Sequence, residues 1–229
     1  MADNLIASEI EGQRQVMHDP LHLAELLCAR LCHDLSGPLG SLMGATELAA
    51  EDQRDGGEAL AVAVESAAAL GRRLRLLRAA WGGEAGPLDV PGFQGLAEGL
   101  SVGRRVSVDL AGLDPTTAFA PAGARLALNA LLLAAEGLAG NGRLAMAGAA
   151  NADVLVTIEG PRASWPAGLA TCLADEQAAW QAITSARSLQ APLTALIARR
   201  SGLRVSLLMP VGSPAGTPPP LLLALASSP

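Results

Sequence analysis

An α+β fold is predicted for this chain: a long antiparallel helical hairpin that completes a four-helix bundle on dimerisation, followed by a small α/β sandwich domain. Three observations predict it. Two long apolar-periodic runs, 19–52 and 60–81, flank the turn residues Gln53-Arg54-Asp55-Gly56-Gly57. After Gly86-Pro87 the texture changes to short alternating segments interleaved with helical ones. The composition suits both halves: of 229 residues 50% are apolar, mostly Ala and Leu, and only 2% are aromatic.

Composition also excludes whole classes of chemistry. All 16 basic residues are Arg, so a P-loop, a Schiff base and a protein-kinase site all lack the lysine they need. A net charge of −6 and a pI near 5.1 argue against nucleic acid as a partner. The opening residues MADNLIASEIEG are acidic and do not read as a signal peptide. No run reaches the roughly 18 apolar residues of a membrane span. Three cysteines suit a reducing compartment, and a cytoplasmic protein is expected.

Each element has a local cause. Residues 1–18 read as a flexible lead-in. Asp19 is placed as N-cap and Pro20 at the first helical position, where its missing N–H costs nothing. Leu23, Leu27, Leu31, Leu35, Leu42 and Thr46 then recur on one face, and the helix is expected to end near Asp52. The second run places Leu60, Val64, Ala67, Leu74, Leu77 and Trp81 together, ended by Gly82-Gly83. Two helices alone cannot cover both apolar stripes, so the hairpin 19–83 is expected to be the seam of a homodimer. In the domain expected over 84–211, strands are read at 105–110, 143–146, 154–158 and 203–209, with helices at 121–138 and 190–200. The Pro-rich stretch 212–229 reads as a disordered tail, with 221–225 as an apolar patch.

The chemistry-bearing stretch is Leu31-Cys32-His33-Asp34-Leu35-Ser36-Gly37-Pro38-Leu39-Gly40. Helical spacing puts Leu26, Arg30, Gly37, Gly40 and Gly44 on the side of His33, and Arg30 is expected with the glycines at the surface a partner meets. Each glycine costs about 0.8–1 kcal/mol in a helix interior relative to Ala. Three in one stripe make sense if another protein must approach the backbone beside His33. Pro38 removes the N–H that would bond the carbonyl of Asp34, so a bend is expected one turn beyond His33. A nucleophilic imidazole must be neutral, and a carboxylate on its other ring N–H selects the tautomer. Asp34 is the candidate for that role, against the plainer reading of a surface His-Asp pair.

The box from Leu27 to Gly40 resembles the phospho-acceptor box of dimerising histidine phosphotransferase domains, most closely the ChpT type, and the resemblance extends to the layout of the whole chain. It implies that the second domain is a degenerate relative of histidine-kinase catalytic domains. It also implies a phosphorelay shuttle. His33 would accept a phosphoryl group from the receiver domain of a hybrid histidine kinase and pass it to the receiver domain of a response regulator. No intrinsic cofactor or metal is expected, Mg²⁺ being carried by the receiver.

An autokinase would need a nucleotide site. Against the kinase pattern N-L-L-x-N-A-x-K, Asn129 matches the first position, but Leu133 stands where the metal-binding Asn belongs and Glu136 where the Lys belongs. Leucine cannot ligate Mg²⁺, which takes hard oxygen donors. Glu159-Gly160-Pro161-Arg162 replaces the D-x-G-x-G loop. Asn129 is therefore expected to be a satisfied polar residue or a helix-surface amide. A divergent ATP-dependent kinase and a non-catalytic scaffold for receivers are the competing readings.

Arg72, Arg73, Arg75 and Arg78 cluster on the second helix, near position 77, which an antiparallel hairpin sets opposite 33. One or two are expected to reach the site, and Arg75 and Arg78 are the candidates for contacting an acidic receiver. His18 and His22 lack a third ligand for a metal. Cys28 and Cys32 are expected to fill the hairpin core, and Trp81, Trp165 and Trp180 to act as core or interface anchors.

Overall fold

A computed structural model of the chain describes residues 19–51, 56–83, 86–101, 105–208 and 217–226. The expected lead-in 1–18, with His18, and most of the hairpin turn lie outside the described residues. The fold is α+β, as expected. Helix α1 spans Pro20–Glu51 and α2 spans Gly56–Trp81, forming the antiparallel hairpin. Asp19 caps α1 by accepting from the amides of Leu21 and His22 at 2.9 and 3.2 Å. Pro38 lies within α1, and the helix runs unbroken through it.

The rest of the chain builds a five-stranded sheet covered by helices. The elements in order are β1 (Leu88–Asp89), α3 (Val90–Ala97), β2 (Arg105–Leu113), β3 (Ala118–Phe119), α4 (Pro121–Gly137), β4 (Asn141–Gly148), β5 (Asp153–Glu159), α5 (Leu169–Ala174), α6 (Glu176–Gln181), α7 (Gln190–Arg200), β6 (Arg204–Leu207) and β7 (Leu221–Ala224). The strand order is β2-β4-β5-β7-β6, with β2–β4 parallel and the other pairs antiparallel. The short β1 and β3 pair separately, and Phe93 stacks on Phe119 with ring centroids 4.5 Å apart. Period-two burial of Leu144 and Met146, of Val154, Val156 and Ile158, and of Leu221 and Leu223 gives the sheet one apolar face. Helix α4 lies in the core with 13 of its 17 residues buried, which is why it reads as a continuous apolar run.

Two expectations are corrected. The stretch 212–229 is not a loose tail throughout. Leu221–Ala224 is a strand between β5 and β6, in register Val154↔Leu223 and Val205↔Leu223, so the sheet is incomplete without it. Pro218, Pro219 and Pro220 immediately precede the strand, where they break no ladder hydrogen bond, and the apolar run is that of a strand buried in the sheet interior. The stripe named on α2 also divides. Leu77 and Trp81 turn inward, whereas Leu60, Val64, Ala67 and Leu74 face outward. Ala63, Arg73, Leu76 and Ala80 are buried on the same side as Leu77. Leu76, Leu77 and Ala80 join the core that contains α4, so the base of the hairpin and the second domain share one apolar interior.

Because Leu223 is fully buried, Leu223→Ala is expected to lower stability by about 2–5 kcal/mol, measured by urea denaturation. Truncation after residue 211 is expected to abolish cooperative thermal unfolding in circular dichroism. An unchanged midpoint in the truncated chain would return this segment to the role of a tail.

Candidate functional site

His33 lies in the middle of α1 with its side chain exposed. It borders a cleft of about 640 Å³ between α1 and the second domain. Arg30, His33 and Asp34 form the α1 wall; the end of α4 with Gly137, Ala139 and Gly140 forms a second; Arg162, Ser164 and Arg187 come from loops. The loop after β5 is held close to α4: the Ser164 amide donates to the Gly137 carbonyl at 2.9 Å. A Cβ on Gly137 would stand 2.8 Å from the Ser164 carbonyl oxygen, so this approach requires glycine.

Asp34 does not serve the ring of His33. Its Oδ1 accepts from Arg30 Nε at 3.2 Å and its Oδ2 from Arg73 Nη2 at 2.5 Å, and its side chain is only 6% exposed. Among the described residues no hydrogen bond joins it to His33. The reason is helical geometry: consecutive residues point about 100° apart, so His33 faces out when Asp34 faces in. The role expected of Asp34, orienting the imidazole, is thereby corrected to an internal ion pair.

Arg30 is corrected as well. Expected at the partner surface, it is buried, and donates to Asp34, to Glu136 Oε1 at 2.5 Å and to the Ala186 carbonyl at 3.1 Å. At Gly37, Gly40 and Gly44 the surface of α1 is open. A Cβ on any of them would meet nothing within 4 Å, so no packing within the chain requires glycine there. Arg75 and Arg78 are exposed but do not line the cleft. The arginine of that cluster that reaches the box is Arg73, buried, which also donates to the Gly99 carbonyl at 3.4 Å. The expected level of contact across the hairpin was right to within about one turn. Cys28 and Cys32 are exposed rather than core residues; Cys172 is the buried one, and burial pushes its thiol pKa up.

Asn129 is a satisfied polar residue, as expected. Its amide donates to the carbonyls of Ala80 and Arg125, both at 2.9 Å, and its oxygen accepts from Gln190 at 3.0 Å. Leu133 beside it is fully buried and offers no oxygen. Sequence reasoning missed Glu136 as the partner of Arg30, and missed Arg187 as a cleft residue. The signal for Glu136 was available: it is the one acidic residue of a mostly apolar helix, and such a charge needs a partner. No group of His, Cys, Asp and Glu among the described residues is arranged to hold a metal ion. No helix among them is long and apolar enough to cross a membrane.

Comparison with known proteins gives this geometry a family. A bacterial phosphotransferase solved at 1.7 Å is similar in fold, with TM-score 0.67 and 23% identity over 90% of this chain and 96% of its own. Full-length ShkA in complex with AMPPNP aligns at TM-score 0.38 and 16% identity, over 92% of this chain and 47% of its own. No curated protein matches the sequence. The model of the histidine phosphotransferase C-terminal domain matches residues 91–210, more than half of the chain. The chain therefore belongs to the histidine phosphotransferase family, and its function is phosphotransfer.

Proposed function

We propose that the chain is a phosphorelay shuttle in which His33 takes a phosphoryl group from the aspartate of one receiver domain and passes it to the aspartate of a response regulator. The observation that carries this reading is the exposed ring of His33 at the mouth of an open cleft. A ring nitrogen lone pair attacks the phosphorus of the receiver's aspartyl phosphate in line. The N–P bond forms, the P–O bond to the carboxyl group breaks, and the carboxylate leaves with the electron pair. The other ring N–H keeps its proton, so the phosphorylated ring is cationic and leaves as neutral imidazole when the N–P bond breaks. The second receiver's carboxylate then attacks the same phosphorus from the far side, and the ring recovers its lone pair.

An acyl phosphate already carries a good leaving group, so alignment is what this chain supplies. The glycine stripe supports that reading, since its open side lets a receiver helix approach the α1 backbone above His33. Arg162 and Arg187, both exposed on the cleft, add cations that suit an acidic receiver surface. Arg75 and Arg78 belong to the wider docking surface on α2. Mg²⁺ belongs to the receiver, and no cofactor is assigned to this chain. ATP has no part in the cycle: the Asn129 side chain is consumed by backbone and Gln190, and Leu133 replaces the metal-binding Asn.

The assembly proposed is a homodimer in the cytoplasm. Leu39 and Met43 on α1 and Leu60, Val64 and Leu74 on α2 are between 44 and 63% exposed, an apolar face that a second hairpin covers in a four-helix bundle. Sedimentation at micromolar concentration is expected to give the dimer mass.

Incubation with a phosphorylated receiver domain and Mg²⁺ is expected to place an acid-labile phosphoryl group on His33, located by mass spectrometry. His33→Ala is expected to accept none, and labelled ATP is expected to leave the chain unlabelled. Label from ATP at His33 would favour a divergent kinase. Gly40→Ala is expected to raise stability by about 0.8–1 kcal/mol in urea denaturation. Gly40→Leu is expected to stay folded and slow receiver transfer by about tenfold, because only an incoming protein meets the new side chain. Transfer at the parent rate in Gly40→Leu would show that no partner uses the stripe.

A further inference from the structure

Two guanidinium groups and two carboxylates lie in the seam between the hairpin and the second domain. Arg30 binds three segments at once: Asp34 one turn along α1, Glu136 at the end of α4, and the carbonyl of Ala186 in the turn before α7. The neighbours of the two distant partners, Gly137 and Arg187, are walls of the His33 cleft. Arg30 therefore lies across the floor of that cleft, one turn before His33. From the other side Arg73 holds Asp34, and its second nitrogen reaches the carbonyl of Gly99.

The four formal charges cancel, and the side chains are between 6 and 17% exposed. Such a buried network is a poor source of net stability, because desolvation offsets most of the Coulomb attraction. Its distinctive property is direction. A planar guanidinium fixes its acceptors in angle and distance, as an apolar contact of equal volume does not.

We propose that Arg30 is a positioning residue for phosphotransfer: it clamps the end of α4 and the 185–187 turn to the helix bearing His33, and so sets the width of the cleft that a receiver must enter. The proposal rests on the reading of His33 as phospho-acceptor. Arg30 touches no reacting atom, and its effect passes through the two cleft walls.

The test compares the full chain with Arg30→Met, Arg30→Lys and Glu136→Gln, by amide hydrogen exchange and by transfer from a phosphorylated receiver domain. In Arg30→Met, exchange at residues 134–140 and 185–188 is expected to rise about ten- to hundredfold, the factor for losing a hydrogen bond to a charged group. The far half of the hairpin is expected to exchange at the parent rate. The receiver concentration for half-maximal transfer is expected to rise about tenfold, while the saturated rate falls by less than about threefold. Arg30→Lys keeps the charge without the fork and is expected to restore part of the protection. Glu136→Gln leaves the Arg30–Asp34 pair inside α1, so it tests the clamp even where Arg30→Met fails to fold, and is expected to move both readouts in the same direction.

Parent-like exchange at both segments in Glu136→Gln and in any folded Arg30→Met overturns the proposal. So does loosened exchange with unchanged half-saturation. If the unaltered chain transfers nothing, the relay reading falls, and exchange alone then decides whether the clamp exists.

Discussion

Burial of Asp34 is the constraint on which the site depends. A carboxylate held this far from water must be paired, and Arg30 and Arg73 pair it from two directions. Arg73 roots it in α2 and the turn at Gly99; Arg30 carries the connection on to α4. The hairpin is thereby fixed in register at the level of His33. Because α1 is a continuous rod there, fixing Asp34 inward also fixes His33 outward. The exposed ring and the buried charge are one geometric fact.

Beyond the box the character of the hairpin changes. Its base is sealed into a common core through Leu76, Leu77 and Ala80. Its far half leaves Leu39, Met43, Leu60 and Val64 in water. The glycines share that far half, interleaved along α1 with Leu39 and Met43, and beside them neither packing nor side chain occupies the surface. The hairpin therefore has one end anchored in the core and one end where exposed apolar side chains alternate with bare backbone.

Much of this was legible in the sequence, for identifiable reasons. The N-cap at Asp19, the hairpin and the helix Gln190–Arg200 follow from local signals: a capping side chain, helical periodicity, a terminal glycine. The exposure of His33 follows from the cost of a glycine stripe that packing does not explain. What was not legible depends on pairing across long sequence distances. Leu221–Ala224 reads as a tail patch until its neighbours β5 and β6 are known, because a four-residue apolar run carries no periodicity of its own. Asp34 and Arg30 read as functional because they lie near His33 on α1, yet which charge faces inward depends on where Arg73 and Glu136 arrive. Residue type alone points Cys28 and Cys32 to the core, although their positions on α1 fall outside the buried face.

The second domain spends the polar side chains of α4 on its joint with the hairpin. Asn129 keeps its place in α4, yet its amide ties the helix to the end of α2 and to Gln190. Once a buried amide is bonded to two backbone carbonyls and a neighbouring side chain, freeing it for a ligand would leave those groups unpaired, at about 1–3 kcal/mol each. Glu136 is likewise committed to Arg30. Asn129 and Glu136 thus serve the joint between α4 and the hairpin, and every polar group recruited to that joint is one fewer for an ion or a phosphate.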